Sequence, residues 1–236
     1  MYDASVMREL SARLEAIVQS VRPCRLLADI GTDHGLVPIA VVQRGVAASA
    51  IASDLREAPL RVARRNVERA RLEGHVTLVQ GDGLAELGDR GVDALVLAGM
   101  SGDRIVQLCS ATPEVLRSAA QLVLQPNSGA HVVRAWARSA GWHLSDERMV
   151  ASGGQFFLVC AFVRGEGADP AYAMRGWTEP ALDRLGPVLL ARKDAVARRW
   201  CVTQRDRLRD LIRDGAPNLD RELAGWQAAC DHLSAR

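Results

Sequence analysis

The sequence predicts an α/β fold, a seven-stranded and mostly parallel sheet followed by a C-terminal helical hairpin. Three observations carry that prediction. Over the first 165 residues, short apolar runs alternate with amphipathic helical stretches, the pattern of a sheet wound on both faces. Two closing strand-like runs joined by Ser152-Gly-Gly154 form a terminal hairpin, which reverses one strand. Beyond a stretch rich in Gly, Ala and Pro at 165–176, dense charge surrounds an apolar helical stripe.

The elements follow in order. Leu10, Leu14, Ile17 and Val18 share one face of a helix expected over 5–20. Strand one is 25–30, with a helix near 36–44 behind it. Strand two is Ala47 to Ala52, and an arginine-rich helix covers about 56–72. Strands three, four and five are Val76–Val79, Asp93–Leu97 and Leu122–Leu124, with a helix over about 129–139. Trp142–Val150 and Phe156–Val163 close the sheet. Two helical segments, about 179–213 and 219–234, are separated by Asp214-Gly-Ala-Pro-Asn218 and suggest an antiparallel coiled-coil-like arm. The expected units are 1–165 and 166–236.

Bulk properties narrow the class. A chain of 236 residues with 48% apolar and 25% charged residues can bury a good core. No run approaches the roughly 20 apolar residues of a membrane span, and the N-terminal stretch lacks an apolar signal core. Five cysteines without a C-x-x-C pair fit reduced thiols in a cytoplasmic protein better than disulfides or zinc ligands. The scattered histidines offer no metal site. A net charge of +2 says little about nucleic acid, although residues from 170 onward carry 12 basic against 9 acidic side chains. Only Lys193 is a lysine, so the basic residues are otherwise arginines, suited to phosphate forks and stacking.

The chemistry concentrates at strand ends. Asp29-Ile-Gly-Thr-Asp-His-Gly35 follows the apolar run Leu26-Leu27-Ala28, so it reads as a strand turning sharply into a helix. A phosphate cradle there would want backbone N–H groups and a cation. Asp29 and Asp33 instead suit a ligand bearing an ammonium group and hydroxyls, such as S-adenosylmethionine. Asp54, ending strand two, is placed to accept from ribose hydroxyls, or it is a helix cap. After strand three, Asp82 can accept from an adenine amine, with Gly81 and Gly83 admitting the base. Gly99 and Met100 at the end of strand four flank a flat substrate near the sulfonium. Gln125 and Asn127, around Pro126, bring amides to the same edge. The cofactor set is thus Asp29, Gly31, Thr32, Asp33, Asp54, Asp82, Gly83, Gly99 and Met100, and the catalytic set is Asp33, Asp29, Gln125 and Asn127. The spacing Gly31-x-x-x-Gly35 disfavours a nicotinamide dehydrogenase. The tryptophans read as packing rather than stacking platforms.

Leu10-Ser-Ala-Arg-Leu14, Ala28-Asp-Ile-Gly-Thr-Asp-His34, Pro38, Gly81-Asp-Gly-Leu84, Ala98-Gly-Met100 with Gly102, and Leu124-Gln-Pro-Asn127 together resemble the bacterial tRNA (adenine(22)-N1)-methyltransferases. The resemblance implies a Rossmann-like class I methyltransferase domain with a coiled-coil-like C-terminal domain. It further implies S-adenosylmethionine as donor and N1 of an adenine in the tRNA D-arm region as acceptor. The chain departs from the family pattern at Ser101, expected to narrow the pocket, and at Phe157-Leu158, where a tyrosine and a glutamate are usual. A methyltransferase acting on a small molecule or protein, and a cofactor-binding protein without catalysis, are the competing readings. A monomer or weak oligomer is expected.

Overall fold

The computed structural model describes residues 10–235. Its centre is a sheet of seven strands, β1 (Cys24–Ile30), β2 (Ala47–Asp54), β3 (Val76–Gln80), β4 (Ala94–Ser101), β5 (Gln121–Ser128), β6 (Trp142–Ser152) and β7 (Gln155–Arg164). The strand order is β3-β2-β1-β4-β5-β7-β6. β1 to β5 pair in parallel, and β7 runs antiparallel to both β5 and β6. The predicted α/β fold with one reversed strand is therefore the observed one.

Alternation along the strands explains how one sheet supports two cores. Leu27, Val96 and Val123 pack against Ile17 of α1 (Ala12–Ser20), Val37 and Val41 of α2 (Leu36–Gln43) and Val67 of α3 (Glu57–Ala70). Their neighbours Ala28, Leu95, Leu97, Leu122 and Leu124 lie in the other core. There they join Ile105 and Leu108 of α4 (Gly102–Ala111), Leu116 of α5 (Pro113–Ser118) and Val133 and Ala137 of α6 (Ala130–Ser139). With both faces covered, the strands read as continuous apolar runs. The strand order reverses between β1 and β4, so the connections that follow them run to opposite sides and leave a crevice at their C-terminal ends.

Three expectations need correction. The first helix begins at Ala12 among the described residues, because Ser11 has extended backbone and its hydroxyl accepts from Leu14 N–H at 3.4 Å as an N-cap. The expected portion at 5–9 lies outside the described residues. Between strands four and five, where the sequence predicts no helix, residues 102–118 form α4 and α5. The segment expected as one helix over 179–213 is three: α7 (Glu179–Leu185), α8 (Pro187–Arg192) and α9 (Ala195–Arg213), followed by α10 (Asp220–Ser234). Pro187 lacks the N–H that would continue α7, and Gly186 holds φ at 93°. Lys193 then turns left-handed at φ 51°, and the Asp194 carboxylate caps α9 on Ala197 N–H at 2.7 Å.

The break at Gly186 has a packing purpose. Arg134 of α6 and Glu147 of β6 are a fully buried ion pair, with Nε to Oε1 at 2.7 Å. Arg134 also donates to the Asp183 carbonyl at 2.6 Å, and Glu147 Oε2 accepts from Val188 N–H at 3.0 Å. A side chain at 186 would meet the Arg134 guanidinium at 2.8 Å, so the chain passes this pair only as glycine. α7 and α8 are thereby clamped to the sheet domain. α9 and α10 pack as the expected hairpin, with Trp200 edge-on to Trp226 at 4.9 Å between centroids.

Candidate functional site

A cleft of about 930 Å³ opens at the C-terminal ends of β1 and β4. The β1–α2 turn, the end of β4, α1, the start of β7 and α9 line it.

The floor is the β1–α2 turn. Gly31 and Thr32 both donate their N–H to the Ser53 carbonyl, at 2.8 and 2.9 Å, which folds the turn across the end of β2. Gly31 has φ 74°, and a side chain there would meet Met100 Cε at 2.6 Å. Asp29 is 4% exposed and lines the cleft. Burial pushes its carboxyl up to about 7; the Thr32 hydroxyl and the Arg13 charge oppose that rise, while Asp54 adds to it. The Thr32 hydroxyl lies near enough to Asp29 to lower its carboxyl, yet it completes no hydrogen bond of ordinary geometry among the described residues, which leaves its buried oxygen open to a ligand. Asp33, held left-handed at φ 55°, points its exposed carboxylate into the cleft beside His34, with Oδ1 and Nε2 3.5 Å apart.

Along the sheet edge from Asp29, Asp54 is 5% exposed at the end of β2. Its Oδ1 accepts from Arg56 N–H at 2.9 Å in a local turn, but Arg56 is itself the N-cap of α3, so Asp54 is not the helix cap that was the alternative to a ribose role. Oδ2 takes no donor among the described residues. Gly81 N–H donates to the Asp54 carbonyl at 3.1 Å, which sets the next loop beside it. There Asp82 is exposed and accepts from Arg104 at 2.7 Å on Oδ1. Gly83 abuts Leu108, whose Cδ2 would lie 2.6 Å from an added side chain. Asp54, Asp82, Gly83 and Met100 lie outside the lining of the cleft itself.

The opposite wall is an ordered relay. Arg13 donates to Gln125 Oε1 at 2.8 Å, Gln125 Nε2 donates to Asn127 Oδ1 at 3.1 Å, and Asn127 Nδ2 donates to the Gly99 carbonyl at 2.8 Å. A guanidinium can only donate, so it fixes which way both amides face. Gln125 is fully buried with both ends engaged, whereas Asn127 and Gly99 line the cleft. The relay sits where β4 bulges out of register with β5 between Ala98 and Ser101.

Sequence reasoning passed over several lining residues, namely Arg13, Arg56, Gln155, Phe156 and Gln204, and expected Trp200 only to pack. Arg13 left a signal: it lies three residues after Leu10 and four before Ile17, on the apolar face of α1, where a charge needs a buried partner. Trp200 both packs on Trp226 and faces the cleft. Of the departures from the family pattern, Phe157 lines the cleft under the Arg13 guanidinium, 5.8 Å from its ring centroid. Leu158 is buried in the core. Ser101 lies outside the cleft lining, because its hydroxyl caps α4 by accepting from Arg104 N–H at 3.2 Å. No group of metal-ligating side chains occurs among the described residues.

Known proteins resemble this chain in sequence and in fold. Residues 10–160 match the family model described as a methyltransferase domain. A tRNA (adenine(22)-N(1))-methyltransferase of Bacillus subtilis (strain 168) is 33% identical over 193 residues, covering 81% of this chain and 80% of that relative. The crystal structure of the B. subtilis M1A22 tRNA methyltransferase TrmK matches with a TM-score of 0.78 and 27% identity, over 95% of this chain and 97% of that one. A Streptococcus pneumoniae protein in complex with S-adenosyl-L-methionine matches at TM-score 0.84 and 25% identity, over 94% and 100% of the two chains.

Proposed function

The chain belongs to the tRNA (adenine(22)-N1)-methyltransferase family, and from that premise we propose how its own residues carry the reaction. It transfers a methyl group from S-adenosylmethionine to N1 of adenine 22 in tRNA. The observation that carries the reading is the buried Asp29 beside the Thr32 hydroxyl, which completes no hydrogen bond of ordinary geometry among the described residues, at the open end of β1. A carboxylate desolvated to that extent wants a cation, and the methionine ammonium of the cofactor supplies one. Arg13 meets that need only in part: its charge lowers the carboxyl, but it forms no ion pair with Asp29 among the described residues, and its Nη1 donates to Gln125 instead.

The remaining assignments follow the sheet edge. Asp54 keeps Oδ2 for the ribose hydroxyls. Asp82 holds Arg104 on Oδ1 and keeps Oδ2 for the adenine amine of the cofactor. Gly31, Gly99 and Met100 shape the passage in which the methyl donor lies. When bound, the cofactor supplies an electrophilic methyl group.

This chain's residues then do what remains. N1 of adenine carries its own lone pair, so no base is needed before attack, and alignment and exclusion of water dominate. Phe157 and Trp200 offer flat apolar faces to a base turned out of its helix, which the reaction requires because N1 pairs in a duplex. Methylation leaves the base cationic, and Asp33 is the exposed carboxylate that meets that charge. Asn127, oriented by Gln125 and Arg13, presents its amide at the rim. Residues 1–165 form the catalytic domain and 166–236 the helical domain, which reaches back through Trp200 and Gln204. No helix among the described residues is long and apolar enough to cross a membrane. A cytoplasmic monomer or weak oligomer suits a tRNA substrate.

The test is incubation with labelled S-adenosylmethionine and unmodified tRNA, followed by nucleoside mass spectrometry. N1-methyladenosine is expected, and it should be lost in Asp29→Ala while the protein still folds. Label in another nucleoside, or in none, overturns the reading.

A further inference from the structure

Beside the catalytic cleft lies a second groove of about 880 Å³, between the β6–β7 hairpin and α9. The two hollows share Gln155 and Phe156 in their walls, so they are neighbours. α9 serves both. Trp200 and Gln204, four residues apart, face the cleft, and the adjacent stripe of Arg199 and Thr203 faces the groove with Arg198.

Most of the other α9 arginines are held by carboxylates, although Arg207, outside the groove, is exposed and has no carboxylate partner among the described residues. Arg192, Arg205, Arg209 and Arg213 are each paired with an aspartate. Arg198 and Arg199 are exposed and have no carboxylate partner among the described residues. Arg199 lies over the Phe156 ring at 5.9 Å from its centroid, which holds its planar head along the groove wall. The facing hairpin, Ser152-Gly-Gly-Gln155, has no acidic residue. Two free guanidiniums, a hydroxyl and a ring edge next to a base pocket form a surface for a sugar–phosphate backbone.

We infer that this groove seats the nucleotide adjacent to the methylated adenine, with Arg198 and Arg199 gripping its flanking phosphates. The inference rests on the tRNA methyltransferase reading. Turning a base out of its helix splays the flanking backbone, and two fixed cations beside the pocket hold that backbone in its splayed path. Arg198 and Arg199 act on how the substrate is held and touch no reacting atom.

The experiment compares wild type with the double variant Arg198→Ala/Arg199→Ala on unmodified tRNA, measuring kcat and KM at several salt concentrations. The double variant should raise KM for tRNA about tenfold or more, as loss of charge-assisted contacts does. Its slope of log KM against log salt should fall by about two, one for each guanidinium removed. The dissociation constant for S-adenosylmethionine should stay unchanged. Arg207→Ala, an exposed arginine of α9 outside the groove, is the control and should leave KM and slope near wild type. Equal effects from Arg207→Ala would mean that only overall charge matters, which overturns the groove. Unchanged KM and slope in the double variant also overturn it, as they would if the groove served a protein partner. Absence of methyl transfer by wild type is a separate result, which removes the underlying reading.

Discussion

Cofactor affinity should depend on pH through Asp29. Burial lifts its carboxyl from the ordinary 3.8 to about 7, a difference corresponding to about 4 kcal/mol between ionised and protonated forms. The raised value means that the folded protein holds this proton more tightly than the unfolded chain. Stability of the ligand-free protein therefore falls as pH climbs from about 4 to about 7. Binding runs the other way, because the methionine ammonium needs the ionised carboxylate. Below pH 7 the dissociation constant for S-adenosylmethionine should rise about tenfold per pH unit, so that pH 5.5 and pH 8 differ by about 30-fold. Titration calorimetry across that range measures it, with S-adenosylhomocysteine as a stable companion ligand. Asp29→Asn should bind weakly with a flat profile, and a slope that persisted there would belong to another titrating group of the cleft. Equal wild-type affinity at both pH values would refute the reasoning.

Other outcomes follow from the same geometry. Arg13→Met strands the Gln125 acceptor, which should cost about 1–3 kcal/mol, and removes a charge that opposes protonation of Asp29. The midpoint of cofactor affinity should then move above that of wild type, with partial return in Arg13→Lys; an unmoved midpoint in both variants would uncouple Arg13 from Asp29. Glu147→Gln leaves the Arg134 charge buried without its partner and should cost about 3–5 kcal/mol in urea unfolding, whereas a loss under about 1 kcal/mol would show the clamp on α7 and α8 to be dispensable. Gly31→Ala is strained at φ 74° and drives a methyl toward Met100, so about 1–3 kcal/mol of destabilisation is expected. Adding Met100→Ala should recover only the steric part, and full recovery in that double variant would mean that backbone strain contributes nothing.

How much was legible depended on how local each determinant is. The strands were readable because Leu26-Leu27-Ala28 and Leu122-Val-Leu124 are buried on both faces, and burial of that kind leaves unbroken apolar runs. The aspartates were readable because Asp29, Asp54 and Asp82 each end a strand or begin its loop, so sheet order aligns them without further information. Gly186-Pro187 was also visible, but the apolar stripe of Leu182, Leu185 and Leu189 continues across it and hides the break. The cleft's second wall was not legible. Arg13 meets Gln125 across 112 residues, and α9 reaches the cleft through the packing of Ala197, Val196 and Trp200 on the sheet core, beside helices that the Arg134–Glu147 pair clamps. Those contacts are products of the assembled fold.

The central claim is that this cleft methylates adenine 22 of tRNA. Primer extension on tRNA treated with the protein and S-adenosylmethionine tests it most directly, because N1-methyladenosine cannot pair and arrests the polymerase. The account predicts an arrest at position 22 that disappears when that adenine is replaced by guanine. An arrest elsewhere, or one that survives the replacement, would contradict it.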